Sequence, residues 1–238
     1  MRARRLARVA SAWLLALALV PSGAGAADPG SEDREARRLD DARAVFLEIR
    51  DMPDAEVPQP LLEKCRCIAV FPGVVKGAFG IGGRRGHGVM SCRDSAGAWS
   101  APAFLTMTGG SFGFQIGVEK ADVVLFFMSE RGARSLVESR FTLGAKAGVS
   151  AGPVGRSAEA ATDLKLDAEI YSYGRSKGAF AGISLEGAKV AADKSANERA
   201  YGKGLTTKEI LFARPALKRS KPTEAFLSVL PPPGAPKP

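Results

Sequence analysis

The stretch YSYGRSKGAFAG, residues 171–182, decides the fold. Glycine at this density marks a loop, and the arginine and lysine among the glycines would suit a phosphate. Yet Tyr171, Tyr173 and Phe180 are strand formers, and ISLEG follows in a similar texture. As a loop, the stretch is a phosphate cradle or a membrane-touching surface. As strand, it belongs to a tightly packed sheet.

Its surroundings favour the sheet. From residue 67 onward CIAVF, HGVMSCR, AFLTMTG, FGFQIGVE and DVVLFFM are short apolar or alternating runs, separated by Pro72-Gly73, Ser95-Ala96-Gly97, Gly109-Gly110 and Glu119-Lys120. KAGVSAGPVG, AEIYSYG and GAFAGISLEG continue the pattern. Connections this short leave no room for crossovers, so the strands should pair mostly antiparallel. SERGARSLVES, residues 129–139, reads as a helix with Ser129 as its cap and Leu136 and Val137 facing inward. ADKSANERAYG and TTKEILFARP read as short closing helices, the second capped by Thr206 or Thr207.

Ahead of the sheet, SEDREARRLDDARAVFLEIRDMP spaces Leu39, Ala42, Val45, Phe46 and Ile49 by three and four among charges, which predicts an amphipathic helix ending before Pro53. Such a helix packs on its own domain or lies on a membrane. Beyond the sheet, residues 214–238 are proline-rich and basic and predict an extended or disordered tail, in which AFLSVL could dock. The expected class is α+β: a glycine-rich, mostly antiparallel sheet, barrel- or sandwich-like, with an N-terminal amphipathic helix and short C-terminal helices.

The beginning of the chain has the layout of a secretory signal peptide. Arg2, Arg4, Arg5 and Arg8 precede an apolar run over 10–20, then Pro21 and Ala24-Gly25-Ala26, with cleavage expected after Ala26. The run is roughly half the ~20 residues of a membrane span. No cysteine near the cut offers a lipid attachment point. The expected organisation is a signal peptide over 1–26, a polar segment and amphipathic helix over 27–60, a core domain over 61–213 and the tail over 214–238. The mature chain is expected to be exported, periplasmic or peripherally associated with the envelope.

Removing four arginines and no acids lowers the formal net charge from +9 to +5. That balance favours acidic surfaces such as phospholipid headgroups, and there is no long positive block; nucleic acid is not an expected partner. The three cysteines, Cys65, Cys67 and Cys92, predict one disulfide and one thiol in an oxidising compartment. Cys65 and Cys67 are too close to pair with each other, and either could reach Cys92 on a neighbouring strand; Cys67–Cys92 is the favoured pair. With His87 the only histidine and no CxxC pair, no metal site is expected.

Three motifs resemble catalytic loops and fail on context. Gly109 to Gly113 matches G-x-S-x-G around Ser111, but a nucleophile elbow needs a helix after the serine, whereas FGFQIGVE alternates like a strand. His87 also precedes Ser111, against the hydrolase order, and a tight glycine turn between strands suits the motif better. GAFGIGGRRGHG carries an arginine where the dinucleotide fingerprint wants its third glycine, and GISLEGAK puts an alanine between Gly187 and Lys189. Neither an enzymatic activity nor a cofactor is expected. What remains is a set of basic residues beside glycines: Lys76, Arg84, Arg85, His87, Arg156, Arg175 and Lys177. Glycine admits a ligand close to the backbone and arginine suits phosphate. The alternative, equally open from the residues, is that the arginines decorate turns while the aromatics fill the core.

CIAVFPGVVKGAFGIGGRRGHGVMSCR, WSAPAFLTMTGGSFGFQIGVEKADVVLFFMS and GPVGRSAEAATDLKLDAEIYSYGRSKGAFAGISLEG resemble, in order and spacing, the SYLF domain family, also called the Ysc84 actin-binding or lipid-binding family. The likeness runs over residues 36–212 and is greatest to secreted bacterial members, including a cysteine in the first strand and another in GVMSCR. It implies a phospholipid-binding domain without catalytic residues. Phosphoinositides and actin, ligands of eukaryotic relatives, are not carried over to an envelope protein. Where relatives often have asparagine, this chain has Ser129. The resulting expectation is a non-catalytic protein that binds anionic phospholipid through basic loops, with envelope protein partners as the alternative.

Overall fold

The computed structural model describes residues 29–51, 57–79, 81–112, 117–138, 141–144, 148–153, 168–176, 179–185, 187–213, 217 and 219–232. The expected signal peptide, Arg156 and Lys177 lie outside them. Helices α1 (Pro29–Arg50) and α2 (Gln59–Lys64) lead into β1 (Cys67–Phe79), β2 (Ile81–Cys92), β3 (Ala103–Phe112) and β4 (Gly117–Phe127). Helix α3 (Glu130–Glu138), β5 (Phe141–Thr142), β6 (Val149–Ala151), β7 (Ile170–Ser176), β8 (Ala179–Gly182) and β9 (Lys189–Ala192) follow. Helix α4 (Lys194–Tyr201), a π-helical turn over Glu209–Ala213 and α5 (Lys221–Val229) complete the described chain.

The strands form one curled sheet in the order β5-β9-β3-β2-β1-β4-β7-β6, with β8 sharing the outer edge of β7. Every pairing is antiparallel except β6 with β7. The α+β expectation holds, and the curled sheet is nearer a half-barrel than a sandwich. Alternation along the strands supplies two cores. Ile68, Val70, Val89, Phe104, Val124 and Phe126 face α1, α2, α4 and α5. Cys67, Ala69, Phe71, Met90, Leu105, Leu125 and Phe127 face Ala133 of α3, Leu185 and the π-turn residues Ile210 and Leu211. These are called below the helical face and the second face.

Residues 171–176 and 179–182 therefore lie in the sheet, and Gly174 and Gly182 serve close packing. A Cβ on Gly174 would lie 2.5 Å from Ile183 Cδ1, and one on Gly182 would lie 2.1 Å from the Gly152 carbonyl oxygen. Tyr173 is fully buried, edge-on to Phe126 at 5.6 Å between centroids, and its hydroxyl donates to the Pro153 carbonyl at 3.0 Å. An aromatic hydroxyl in a core needs such an acceptor.

Four expectations are corrected. Pro72-Gly73 does not end a strand: β1 continues through it with one extra residue against both neighbours. Gly73 adopts φ +56° there and its N–H donates to Asp122 Oδ1 at 2.8 Å, a glycine bulge. Gly109-Gly110 and Glu119-Lys120 are likewise strand interior, in β3 and β4. Ser111 pairs with Gly82 in the β2–β3 ladder, so it sits within a strand and not in a glycine turn; of FGFQIGVE, Phe112 ends β3, residues 117–119 begin β4, and residues 113–116 lie outside the described residues. Finally, the supposed tail contains α5, capped by Ser220 and burying Phe226 and Val229. Proline at its first turn starts a helix rather than preventing one.

Other local readings hold. Leu39, Ala42, Val45, Phe46 and Ile49 are all buried. Ser129 Oγ accepts from the Gly132 N–H at 3.2 Å, whereas Leu136 and Val137 have no described side-chain placement. Thr206, rather than Thr207, caps the π-turn by exchanging hydrogen bonds with Glu209. Cys67 and Cys92 stand opposite each other in the β1–β2 ladder and are disulfide-bonded. Cys65 precedes the strand and is buried in the helical-face core.

Candidate functional site

Strand parity divides the basic residues between the two faces. In β2, Met90 belongs to the second-face core and Val89 to the helical-face core. Counting back in steps of two places Arg84 on the second face and Arg85 and His87 on the helical face. Lys76 lies opposite Arg84 in the ladder and joins it on the second face.

On the helical face the charges are largely satisfied within the protein. Arg175 Nη2 and Nε donate to Asp122 Oδ2 at 2.6 and 2.9 Å, and Nη1 pairs with Glu48 of α1. Its guanidinium also lies 5.4 Å from the Phe180 ring centroid. Arg175 thus fastens α1 to β4 and β7 rather than offering a free cation. His87 Nδ1 stands 3.5 Å from Asp193 Oδ2, which also takes Arg38 Nη1 at 3.0 Å. Arg199 binds Glu35 at 2.7 Å beside the same cleft of about 520 Å³, which Arg37 also lines. These arginines of α1 and α4 were not singled out in the sequence. The spacing of Arg34 and Arg38, one turn apart in α1, was the available signal.

Asp193 holds this junction together. Burial would raise its pKa, but the Ala196 N–H, Arg38 and His87 together keep it below the ordinary carboxylate value. It is also the N-cap of α4, accepting from Ala196 N–H at 3.2 Å.

The second face is different. Lys76 and Arg84 border a cleft of about 430 Å³ whose floor is Val74, Val123 and Leu185, with Ile183 alongside. Among the described residues neither cation has an ion-pair partner within 4 Å. Glu119 is opposite Lys76 in the β1–β4 ladder, but its carboxylate takes the Ser176 hydroxyl. Arg84 Nε is buried without a hydrogen-bond partner among the described residues, and burial lowers the arginine's pKa. The stem of Arg84 rests over Gly109, where a Cβ would come within 3.3 Å of Arg84 Cγ. The glycine in β3 therefore makes room for this arginine. Of the five candidates among the described residues, Lys76, Arg84 and Arg175 line this cleft, and of these Lys76 and Arg84 meet its apolar surface with no ion-pair partner among the described residues.

Among the described residues there is no cluster of three or more His, Cys, Asp or Glu side chains that could hold a metal, and no helix is long and apolar enough to cross a membrane.

The sequence profile described as Ysc84, Las17-binding protein actin regulator, matches residues 108–230. Protein YSC84 of Saccharomyces cerevisiae is 40% identical over 164 residues, covering 68% of this chain and 35% of that protein. LAS seventeen-binding protein 3 of the same species is 37% identical over 164 residues, covering 68% and 36%. SH3 domain-containing YSC84-like protein 1 of Xenopus laevis is 34% identical over 197 residues, covering 82% and 57%. The chain thus spans between about a third and just over half the length of these relatives. On the profile match and these identities together, the chain belongs to the Ysc84, or SYLF-domain, family.

Proposed function

We propose that this chain is a non-catalytic phospholipid-binding protein of the bacterial cell envelope, exported after cleavage near Ala26, which holds anionic headgroups at Lys76 and Arg84. The observation that carries the proposal is the pairing of two cations, without carboxylate partners among the described residues, at the border of an apolar cleft. A phosphate there would supply the acceptor that Arg84 Nε lacks, and charge-assisted bonds of this kind are among the stronger ones. Arg85 is exposed and adds long-range attraction, while Arg175 contributes to the fold.

Flotation of the purified chain with vesicles of graded anionic lipid content tests this. Binding should require anionic lipid and weaken as salt screens it. The double variant Lys76→Glu, Arg84→Glu should lose binding by at least about tenfold while Arg85→Glu alone loses less. Unchanged flotation of the double variant sinks the proposal.

A second reading takes its support from the family description, Las17-binding protein actin regulator, and from the relative named LAS seventeen-binding protein 3. In it the chain is an envelope scaffold or stress protein acting through a protein partner, and the arginine-lined cleft over α1 and α4 is the surface concerned. Capture of a defined partner that survives lipid removal and is lost in Arg37→Glu would favour it.

A further inference from the structure

A flat cationic surface would suffice to dock on a bilayer, yet Lys76 and Arg84 border a recess. Its floor residues Val74, Val123 and Leu185 are each under 5% exposed and continue into the second-face core. Its width is kept by small residues, Ala121 on β4, Gly174 on β7 and Ala181 on β8. Glu119 also lines the recess, with its carboxylate engaged by the Ser176 hydroxyl, so the recess has the polarity of an amphiphile, cations at one side and hydrocarbon at the floor.

Among the described residues, α1 on the helical face offers no equivalent. All five apolar residues that mark α1 as amphipathic are buried in its own domain, so this helix has no spare apolar stripe to insert into lipid. Any apolar affinity for a lipid must then come from elsewhere, and the recess on the second face combines an apolar lining with cations lacking ion-pair partners among the described residues.

We infer that the second-face cleft takes in one acyl chain of an anionic phospholipid, seating its phosphate between Lys76 and Arg84 and its hydrocarbon along Val74, Val123, Ile183 and Leu185. This rests on the headgroup reading above and adds to it that a single lipid molecule is partly withdrawn from the bilayer. The small residues matter because a polymethylene chain is narrow; a bulky side chain at Ala121 or Ala181 would close the slot.

Isothermal titration of the purified chain with hexyl, octyl, decyl and dodecyl phosphate, each below its micelle concentration, tests the inference. Full burial strengthens binding by up to roughly fourfold per added methylene until the cleft is filled. Inorganic phosphate, which has the head alone, should bind at least about tenfold more weakly than dodecyl phosphate. Ala121→Phe and Ala181→Phe should each cost dodecyl phosphate about tenfold and leave inorganic phosphate unaffected; both sites are incompletely buried, and circular dichroism checks the fold of each. Lys76→Ala should weaken every chain length by a similar factor. Affinity independent of chain length, or indifferent to both phenylalanines, overturns the inference. Flotation retained with no chain-length dependence sinks the cleft reading alone. Chain-length dependence without flotation sinks the bilayer reading and leaves the cleft reading standing.

Discussion

Glycines that look alike in the sequence divide sharply once their neighbours are known. At Gly182 a Cβ would sit 2.1 Å from a backbone oxygen, and at Gly110 it would meet nothing within 4 Å. Gly182→Ala should therefore destabilise by about 1–3 kcal/mol, because the obstacle is backbone and cannot rotate away. Gly110→Ala should be neutral or stabilise by about 0.5 kcal/mol, since alanine loses less backbone entropy in a strand. Urea denaturation of the pair decides it; equal effects would refute the packing argument. Cys65 makes a second residue-scale case. Burial, only partly offset by Arg93 and its own backbone N–H, pushes its thiol up to about 12. One thiol should thus resist alkylation at pH 8 in the native chain and react after unfolding. Labelling of folded protein would show the pocket to be open.

At the scale of elements, the chain is held by side chains that tie helices to strands. Asn197 of α4 accepts from the Phe104 N–H at 2.8 Å and donates to the Phe104 carbonyl at 3.0 Å, so a side-chain amide completes a stretch of β3. Asp193 joins α1, β2 and α4, and its carboxyl is held below the usual range. A depressed carboxyl contributes stability that is fully present above the unfolded value of ~3.9 and lost as pH falls through the folded value. Asp193→Asn should lower stability at neutral pH and flatten its decline below about pH 4. An identical acid profile in the two proteins would remove Asp193 from this role. Arg175 similarly ties α1 to the sheet, which explains how a residue that looks like a surface cation in the sequence becomes structural.

For the whole molecule, the C-terminal segment closes the helical face. Phe226, Val229 and Leu230 join the core beneath α1, and Pro231 accepts from Trp99 Nε1 at 2.9 Å and from Arg93 Nη2 at 2.8 Å. Arg93 also donates to the Glu63 carbonyl and stacks on Trp99, 4.6 Å from the ring centroid. Ending the chain before residue 219 would remove three buried apolar side chains, bare the core they cover and strand a buried guanidinium. At ~1.5–3 kcal/mol for each side chain, the loss should be about 5 kcal/mol or more, a large part of the ~5–15 kcal/mol typical of a domain. Equal denaturation midpoints for full and shortened chains would show the segment to be a mere appendage.

Local periodicity made the class of the fold legible: the three-and-four spacing around Phe46, the alternating runs from Cys67 and the caps at Ser129 and Thr206 each depend on neighbours a few residues away. The choice of Cys67 over Cys65 as the partner of Cys92 needed the register of β1 and β2, since either was in reach along the chain. The same register separated Arg84 from Arg85, adjacent in sequence but on opposite faces, because side chains in a strand alternate. That Pro72-Gly73 bends a strand instead of ending it, that α5 is packed and not a free tail, and that Arg175 is engaged while Lys76 and Arg84 border a cleft were decided by contacts tens of residues apart. Those contacts depend on which surfaces meet when the sheet curls, information that no single stretch of the chain contains.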